Sequence, residues 1–323
     1  MSHHVHDPRR RRFAKQVLAG SVAAGLAIPT FADTRSKIKR ALRIAHITDM
    51  HLDPRPVAVA NVTKVLQEIN RLGDKPDLII NTGDSVFRSD GRTYEDAKAQ
   101  WDLLAKVLSE HNRLPMKSCI GNHDIWFGPG KEDDDRYRDH KLFHKNWVLE
   151  VLGLPSPYYS TTLNGWHFIA LDSNNATDYS LDSNQFAWLA KELDRIPKTE
   201  PVCIFSHVSI LSIIPLLRAM KDSELEAIRY PASRQHKDAL QLKELFYKHP
   251  NVKLCLSGHT HQVDELKFLG VKYLCGGAVS GNWWADDHRT SLVFDEFPPA
   301  YTIIDLFDDG SSHHTNVFYQ FVS

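Results

Sequence analysis

Cysteine is scarce in this chain, with four in 323 residues, and none of the four forms a Cys-x-x-Cys pair. Cys119, Cys203, Cys255 and Cys275 all fall inside apolar, strand-like runs. Their spacing argues against a structural zinc knuckle or a redox dithiol, and makes them buried small hydrophobes. An excess of charge is missing too: 39 lysines and arginines stand against 40 aspartates and glutamates, a formal net charge of -1. Without a global basic field, stable nucleic-acid binding is not expected. Internal repeats and low-complexity tracts are absent, and no transmembrane domain is expected in the mature chain. What is present is an apolar content of 42%, enough to bury a core in one large domain or two small ones.

The one dense basic cluster, Arg9 to Arg12, leads into Phe13-Ala14-Lys15 and a mildly apolar segment from Val17 to Ile28. That segment is shorter than the ~20 residues a spanning helix needs, which favours an export signal over a permanent anchor; a disordered basic tail and an uncleaved tether are the alternatives. Arg10-Arg11-Arg12-Phe13-Ala14-Lys15 resembles the twin-arginine signal family, with Ala14 where that pattern usually has leucine. The resemblance implies a signal peptide over residues 1–32 with cleavage after Ala32, engagement of the twin-arginine export machinery, and a periplasmic or extracytoplasmic location. Because that route moves folded proteins, the chain would fold before export. Residues 33–40 then form a linker and 41–323 the main domain.

Five short apolar runs in that domain end in polar chemistry: Ile44 to Thr48 before Asp49-Met50-His51, Leu78 to Asn81 before Gly83-Asp84, Met116 to Ile120 before Gly121-Asn122-His123-Asp124, Val202 to Ser206 before His207, and Lys253 to Ser257 before Gly258-His259-Thr260-His261. In α/β sheets ligands bind beyond the carboxyl ends of the strands, so these tips are expected to converge. Helical spacing over Val57–Leu72, Tyr94–Glu110, Tyr137–Leu152, Ser183–Ile196 and His236–His249 alternates with the strands, which predicts an α/β sheet with helical cover. A hairpin is expected around Asn164-Gly165. Past His261 the expected strands, Val263–Leu269, Val271–Cys275, Ser291–Phe294, Ala300–Phe307 and Thr315–Phe321, have few helical intervals and predict a second, more antiparallel sheet.

Asp49 and His51 are two apart, as are His259 and His261, so in extended backbone each pair aims at one point. Carboxylate, imidazole and amide donors without thiolate suit Mn, Fe, Zn, Co or Ni, with Mn, Fe or Zn favoured, and four histidines are too many for a Mg or Ca site. Two transition-metal ions fit best, and if they shared Asp84 as a bridge they would sit roughly 3.5 to 4 Å apart.

In this order the five tips resemble the full signature of the calcineurin-like metallophosphoesterases, over about Leu42 to His261. The resemblance implies an α/β fold of two mixed β-sheets packed as a sandwich and flanked by helices. It also implies one metal on Asp49, His51, Asp84 and His261, and another on Asp84, Asn122, His207 and His259. A metal-held hydroxide would attack phosphorus while His123 stabilises charge or protonates the leaving oxygen, oriented by Asp124. Purple acid phosphatases place tyrosine three residues after the bridging aspartate; here that residue is Phe87, which puts a ferric tyrosinate centre in doubt. The spacing is closer to bacterial cyclic-nucleotide and glycerophosphodiester phosphodiesterases.

The sequence thus points to an exported two-metal hydrolase of phosphoric esters, diesters favoured over monoesters, with lipid or cell-envelope phosphoryl groups as a third substrate class. The competing reading is a non-catalytic metal-binding scaffold, but scaffolds of this fold tend to lose ligands and here every position is filled. Asp172 is either a support for the site or a turn cap. His140 and His144 read as a solvated helix face, His313 and His314 as opposite faces of a strand, and Glu132 to Asp135 as helix entry or solvated charge. The apolar stretch Ser209 to Tyr230 suits a lid or a packing or dimer element, and Gly276 to Trp284 suits the mouth of the site with an aromatic wall.

Overall fold

The structure, a computed structural model, describes residues 38–130, 135–175, 178–222, 234–281, 283–284 and 297–320. The signal segment 1–32 and the strand expected over 291–294 lie outside the described residues.

Two sheets form the body. The first has the order β11-β10-β1-β2-β3, made by β1 (Arg40–Ile47), β2 (Leu78–Asn81), β3 (Met116–Ser118), β10 (Ala300–Phe307) and β11 (Ser312–Phe318). The second has the order β4-β5-β6-β7-β9-β8, made by β4 (Tyr159–Leu163), β5 (Trp166–Ala170), β6 (Val202–Phe205), β7 (Val252–Ser257), β8 (Asp264–Phe268) and β9 (Val271–Cys275). Both are mixed. β1, β2 and β3 are parallel, as are β5, β6, β7 and β9, while β10, β11, β4 and β8 pair antiparallel with their neighbours. The late strands therefore do not make a sheet of their own: β8 and β9 extend the second sheet, and β10 and β11 extend the first. The reason lies in β1, whose second edge is open until β10 pairs along it from Arg40 to His46.

Alternation along the strands builds the layers. Leu42, Ile44, Leu78, Ile80, Ile304 and Leu306 of the first sheet face Phe168, Cys203, Phe205, Leu254, Leu256 and Leu274 of the second. Residues one step along point outward under helices. Ala45, Ile47 and Ile79 are covered by α1 (Pro56–Arg71) and α2 (Tyr94–His111). Ile169, Ile204 and Cys255 are covered by α4 (Ser183–Arg195) and α6 (Ala239–Lys248). Helix α1 starts at Pro56, whose missing N–H is no loss in a first turn, and buries Val62, Val65, Leu66 and Ile69, each contributing about 1.5–3 kcal/mol. All four cysteines are free and buried. Among the described residues no helix is long and apolar enough to cross a membrane.

The helix expected from Tyr137 is much shorter. α3 covers only Asn146–Leu152, because His144 takes a positive φ of 58° and its backbone bonds back to Trp126. His140 accordingly packs on Trp126 at 5.1 Å and Tyr94 at 5.4 Å rather than standing on a solvated helix face. The apolar stretch after His207 contains α5 (Ile214–Asp222); Val208, Ile210 and Ile214 are buried while Ile213 and Leu217 are exposed.

Candidate metal centre at the carboxyl ends of the strands

Backbone hydrogen bonds tie the strand ends into one rim. Asp49 N–H donates to Gly83 O at 3.0 Å, His51 N–H to Asp84 O at 3.0 Å, and Gly258 N–H to His207 O at 2.9 Å. Two bonds then cross between the sheets: His259 N–H to Asp49 Oδ2 at 3.0 Å and His207 Nδ1–H to Thr82 O at 2.8 Å. Glycine is required where the tips meet. A Cβ on Gly121 would overlap the backbone and carboxylate of Asp84, and one on Gly258 would overlap Thr48 and Asp49.

The rim carries strain. Of eight non-glycine residues with positive φ among the described residues, five are Asp49 (51°), His51 (42°), Asp84 (50°), His259 (69°) and His261 (62°). Such conformations cost of order 1–3 kcal/mol each and persist where surroundings or function demand them. They also correct the extended-strand argument. Asp49 and His51 do converge, through left-handed turns and not through the pleat, whereas His259 and His261 part company and join different groups.

Asp49, His51 and His261 form one cluster of donor atoms, and Asp84, His207 and His259 a second. In the first, His261 Nε2 lies 3.2 Å from Asp49 Oδ1 and 3.1 Å from His51 Nε2. In the second, His207 Nε2 lies 3.2 Å from Asp84 Oδ2, and Asn122 Oδ1 lies 3.0 Å from both His207 Nε2 and His259 Nδ1. Asp84 joins the two: the oxygen facing His207 is also 3.6 Å from His51 Nε2, while its Oδ1 accepts the His123 N–H at 2.8 Å. His51 Nδ1 donates to Phe87 O at 3.2 Å and His207 Nδ1 to Thr82 O, which turns both Nε2 atoms toward the cluster.

The donor set fits cations on three counts. Asp49 Oδ1 is buried yet has no hydrogen bond among the described residues. Nitrogens and oxygens crowd at 3.0 to 3.2 Å, the spacing of donors held ~2.1 Å from a common ion. The donors are carboxylate, amide and imidazole, with no thiolate. Charge agrees. Burial alone would raise Asp49, but His261 and His51 hold it well below the usual carboxylate range; Asp84 is depressed likewise against burial by His207 and His123. Burial would lower His207, yet Asp84 and Asp49 push it up to about 9. A site that draws protons onto an imbedded imidazole attracts other cations as well.

His123 lies beside these groups, its ring 5.3 Å from that of His51. Its Nδ1 meets Asp90 Oδ1 at 2.7 Å, and Asp90 Oδ2 takes the Arg88 Nε–H at 3.0 Å. Although burial opposes it, Asp84 and Asp90 raise the His123 pKa. The side chain that orients His123 is thus Asp90. Asp124, expected in that role, is fully buried and holds backbone: it accepts from Ser85 N at 2.8 Å, Val86 N at 3.3 Å and Gly121 N at 2.9 Å. Asp124 therefore shapes the turn that aims Asp84 and Asn122. Asp90 carries no sequence signal, since it sits in a loop six residues beyond Asp84 where neither periodicity nor spacing marks it. Tyr179, whose ring is 5.0 Å from His259, was equally silent. Trp284 stands 4.9 Å from His51 and 5.8 Å from His261, whereas Trp283 is buried behind it and donates its indole N–H to His51 O at 2.9 Å. Phe87 packs at a tilt against both tryptophans, with ring centroids 5.0 and 5.3 Å away.

Residues 42–263, more than half of the chain, match the calcineurin-like phosphoesterase family. The chain belongs to that family. It is a metal-dependent phosphoester hydrolase. A 3',5'-cyclic-nucleotide phosphodiesterase from Nostoc sp. is 25% identical over 285 residues, 84% of this chain and 91% of that protein. A serine/threonine-protein phosphatase from Pongo abelii is 24% identical over 236 residues, covering 71% of this chain and 68% of that one. The solved structure of a dimetal phosphatase from Danio rerio superposes with a TM-score of 0.55 at 12% identity, over 87% of this chain and all of that one, and shares the fold.

Proposed function

We propose that this calcineurin-like phosphoesterase hydrolyses phosphodiesters with two bound cations, Mn, Fe or Zn, after export to the periplasm or another extracytoplasmic space. The observation that carries the reading is the position of Asp84 Oδ2 between His207 and His51, one carboxylate oxygen serving both donor groups. Asp49, His51 and His261 would hold the first cation and Asn122, His207 and His259 the second, with Asp84 available to both. When bound, the cations supply charge stabilisation for the phosphoryl group and a nucleophile at neutral pH. The rest is done by the chain. Thr82 O and Phe87 O keep the His207 and His51 rings turned inward. His123, held by Asp90, offers its remaining nitrogen to the leaving oxygen. Trp284 and Tyr179 border the two groups and favour esters with two substituents, in keeping with the cyclic-nucleotide phosphodiesterase among the relatives. Export is supported by the Arg10-Arg11 segment, which lies outside the described residues.

The test is metal analysis together with turnover of bis-p-nitrophenyl phosphate and p-nitrophenyl phosphate, before and after chelation. The expected result is about two ions per chain, faster diester turnover, and loss of activity on chelation and in Asp84→Ala. Near wild-type activity in Asp84→Ala would exclude the bridging role, and faster monoester turnover would turn the assignment to a phosphatase.

A further inference from the structure

Beyond the strand tips, the end of β5 carries a buried polar loop, Asp172-Ser173-Asn174, that the chemistry above does not use. Its residues are 5%, 0% and 5% exposed, so every bond they make acts in a desolvated setting. Asn174 Nδ2 donates to Ile120 O at 2.9 Å, two residues before Asn122. Ser173 Oγ accepts from Val208 N at 3.1 Å, the residue after His207. The loop itself is held in shape from three sides. Asp172 Oδ1 accepts Asn174 N–H at 3.0 Å; Gln185 brackets the Asp172 backbone with two bonds of 2.9 Å; and Lys145 Nζ reaches Asp172 Oδ2 at 2.5 Å and Asn174 O at 2.6 Å.

These bonds go to the two chain segments that present Asn122 and His207, both of the second donor group. The first group has a different support, the Trp283 indole on the carbonyl of His51. We infer that the Lys145-braced loop Asp172–Asn174 is a positioning strut for the second cation group, so that the two cations of this enzyme are governed by separate buried scaffolds. The inference rests on the two-group reading of the site. Outer partners of metal ligands typically contribute 10- to 100-fold in affinity, and each scaffold acts on its own cation.

The experiment titrates the chelator-stripped full chain with Mn(II) by equilibrium dialysis, giving two stepwise dissociation constants, with the melting temperature of the metal-free protein as a fold control. Asn174→Ala and Ser173→Ala should each weaken the same step by about 10-fold or more, leaving the other within about threefold. Trp283→Phe, which keeps a smaller aromatic ring and removes the donor, should weaken the other step. Ser173→Ala deletes only a hydroxyl, so it keeps the test decisive should Asn174→Ala lose its fold. The inference is overturned if all three variants weaken one and the same step, if Asn174→Ala or Ser173→Ala weakens both equally, or if neither step moves. Wild-type protein binding fewer than two Mn(II) ions would instead overturn the two-group reading beneath it.

Discussion

Replacing Asp90 by asparagine tests how His123 works. The carboxylate lies 2.7 Å from His123 Nδ1, with side-chain exposures of 17% and 29%, so it is neither a mobile surface contact nor fully sealed. Asparagine keeps the shape and removes the charge, which leaves Asp84 as the remaining acidic influence on the ring. A hydrogen bond to a charged group contributes about 1.5–3 kcal/mol, and 1.36 kcal/mol is one decade in rate. If His123 protonates the leaving oxygen, the loss must depend on how much that oxygen needs a proton. With an alkyl leaving group kcat/KM should fall by roughly 10- to 150-fold; with p-nitrophenolate, a good leaving group, it should fall by no more than about threefold. The assay is steady-state hydrolysis of methyl p-nitrophenyl phosphate and of a dialkyl diester by wild type and Asp90→Asn, with metal content measured alongside. Equal losses on both substrates at unchanged metal content would refute the leaving-group role and make Asp90 a purely structural partner.

Three further outcomes are expected. His46 is buried between the sheets with Nε2 on Thr82 Oγ1 at 2.9 Å and no partner for Nδ1 among the described residues, and burial lowers its pKa to about 4 from 6.5. The folded state thus holds it neutral while the unfolded chain takes up a proton, so stability is complete above about pH 6.5 and falls toward pH 4 by roughly 3 kcal/mol; guanidinium unfolding of metal-free protein should show a shallower pH slope for His46→Gln, and parallel slopes would contradict this. Trp284→Ala should raise KM for an aryl diester by roughly 2- to 10-fold, the scale of an aromatic contact, and an unaltered KM would remove Trp284 from the substrate wall. Changing Arg10 and Arg11 to lysine should leave the protein in the cytoplasm, which fractionation would show, and unchanged export would refute the twin-arginine reading.

What the linear chain determined by itself is the chemistry and its order. Short apolar runs, each closed by glycine, carboxylate, amide or imidazole, can be read without coordinates because strand ends and metal donors both leave local marks, as Asp49-x-His51 and Gly258-His259-x-His261 do. The same is true of the Asn164-Gly165 hairpin, where both residues take positive φ and β4 meets β5 across the turn. Only the tertiary structure decided which distant segments meet. It sent β10 back to the open edge of β1, and it held off the helix expected from Tyr137 until Asn146, past a backbone contact of His144 with Trp126. It also replaced Asp124 by Asp90 beside His123. Each of these depends on an approach between residues far apart in the chain or in a loop without periodicity, and a hydrogen bond across 33 positions, such as that from His123 to Asp90, leaves no trace in local spacing.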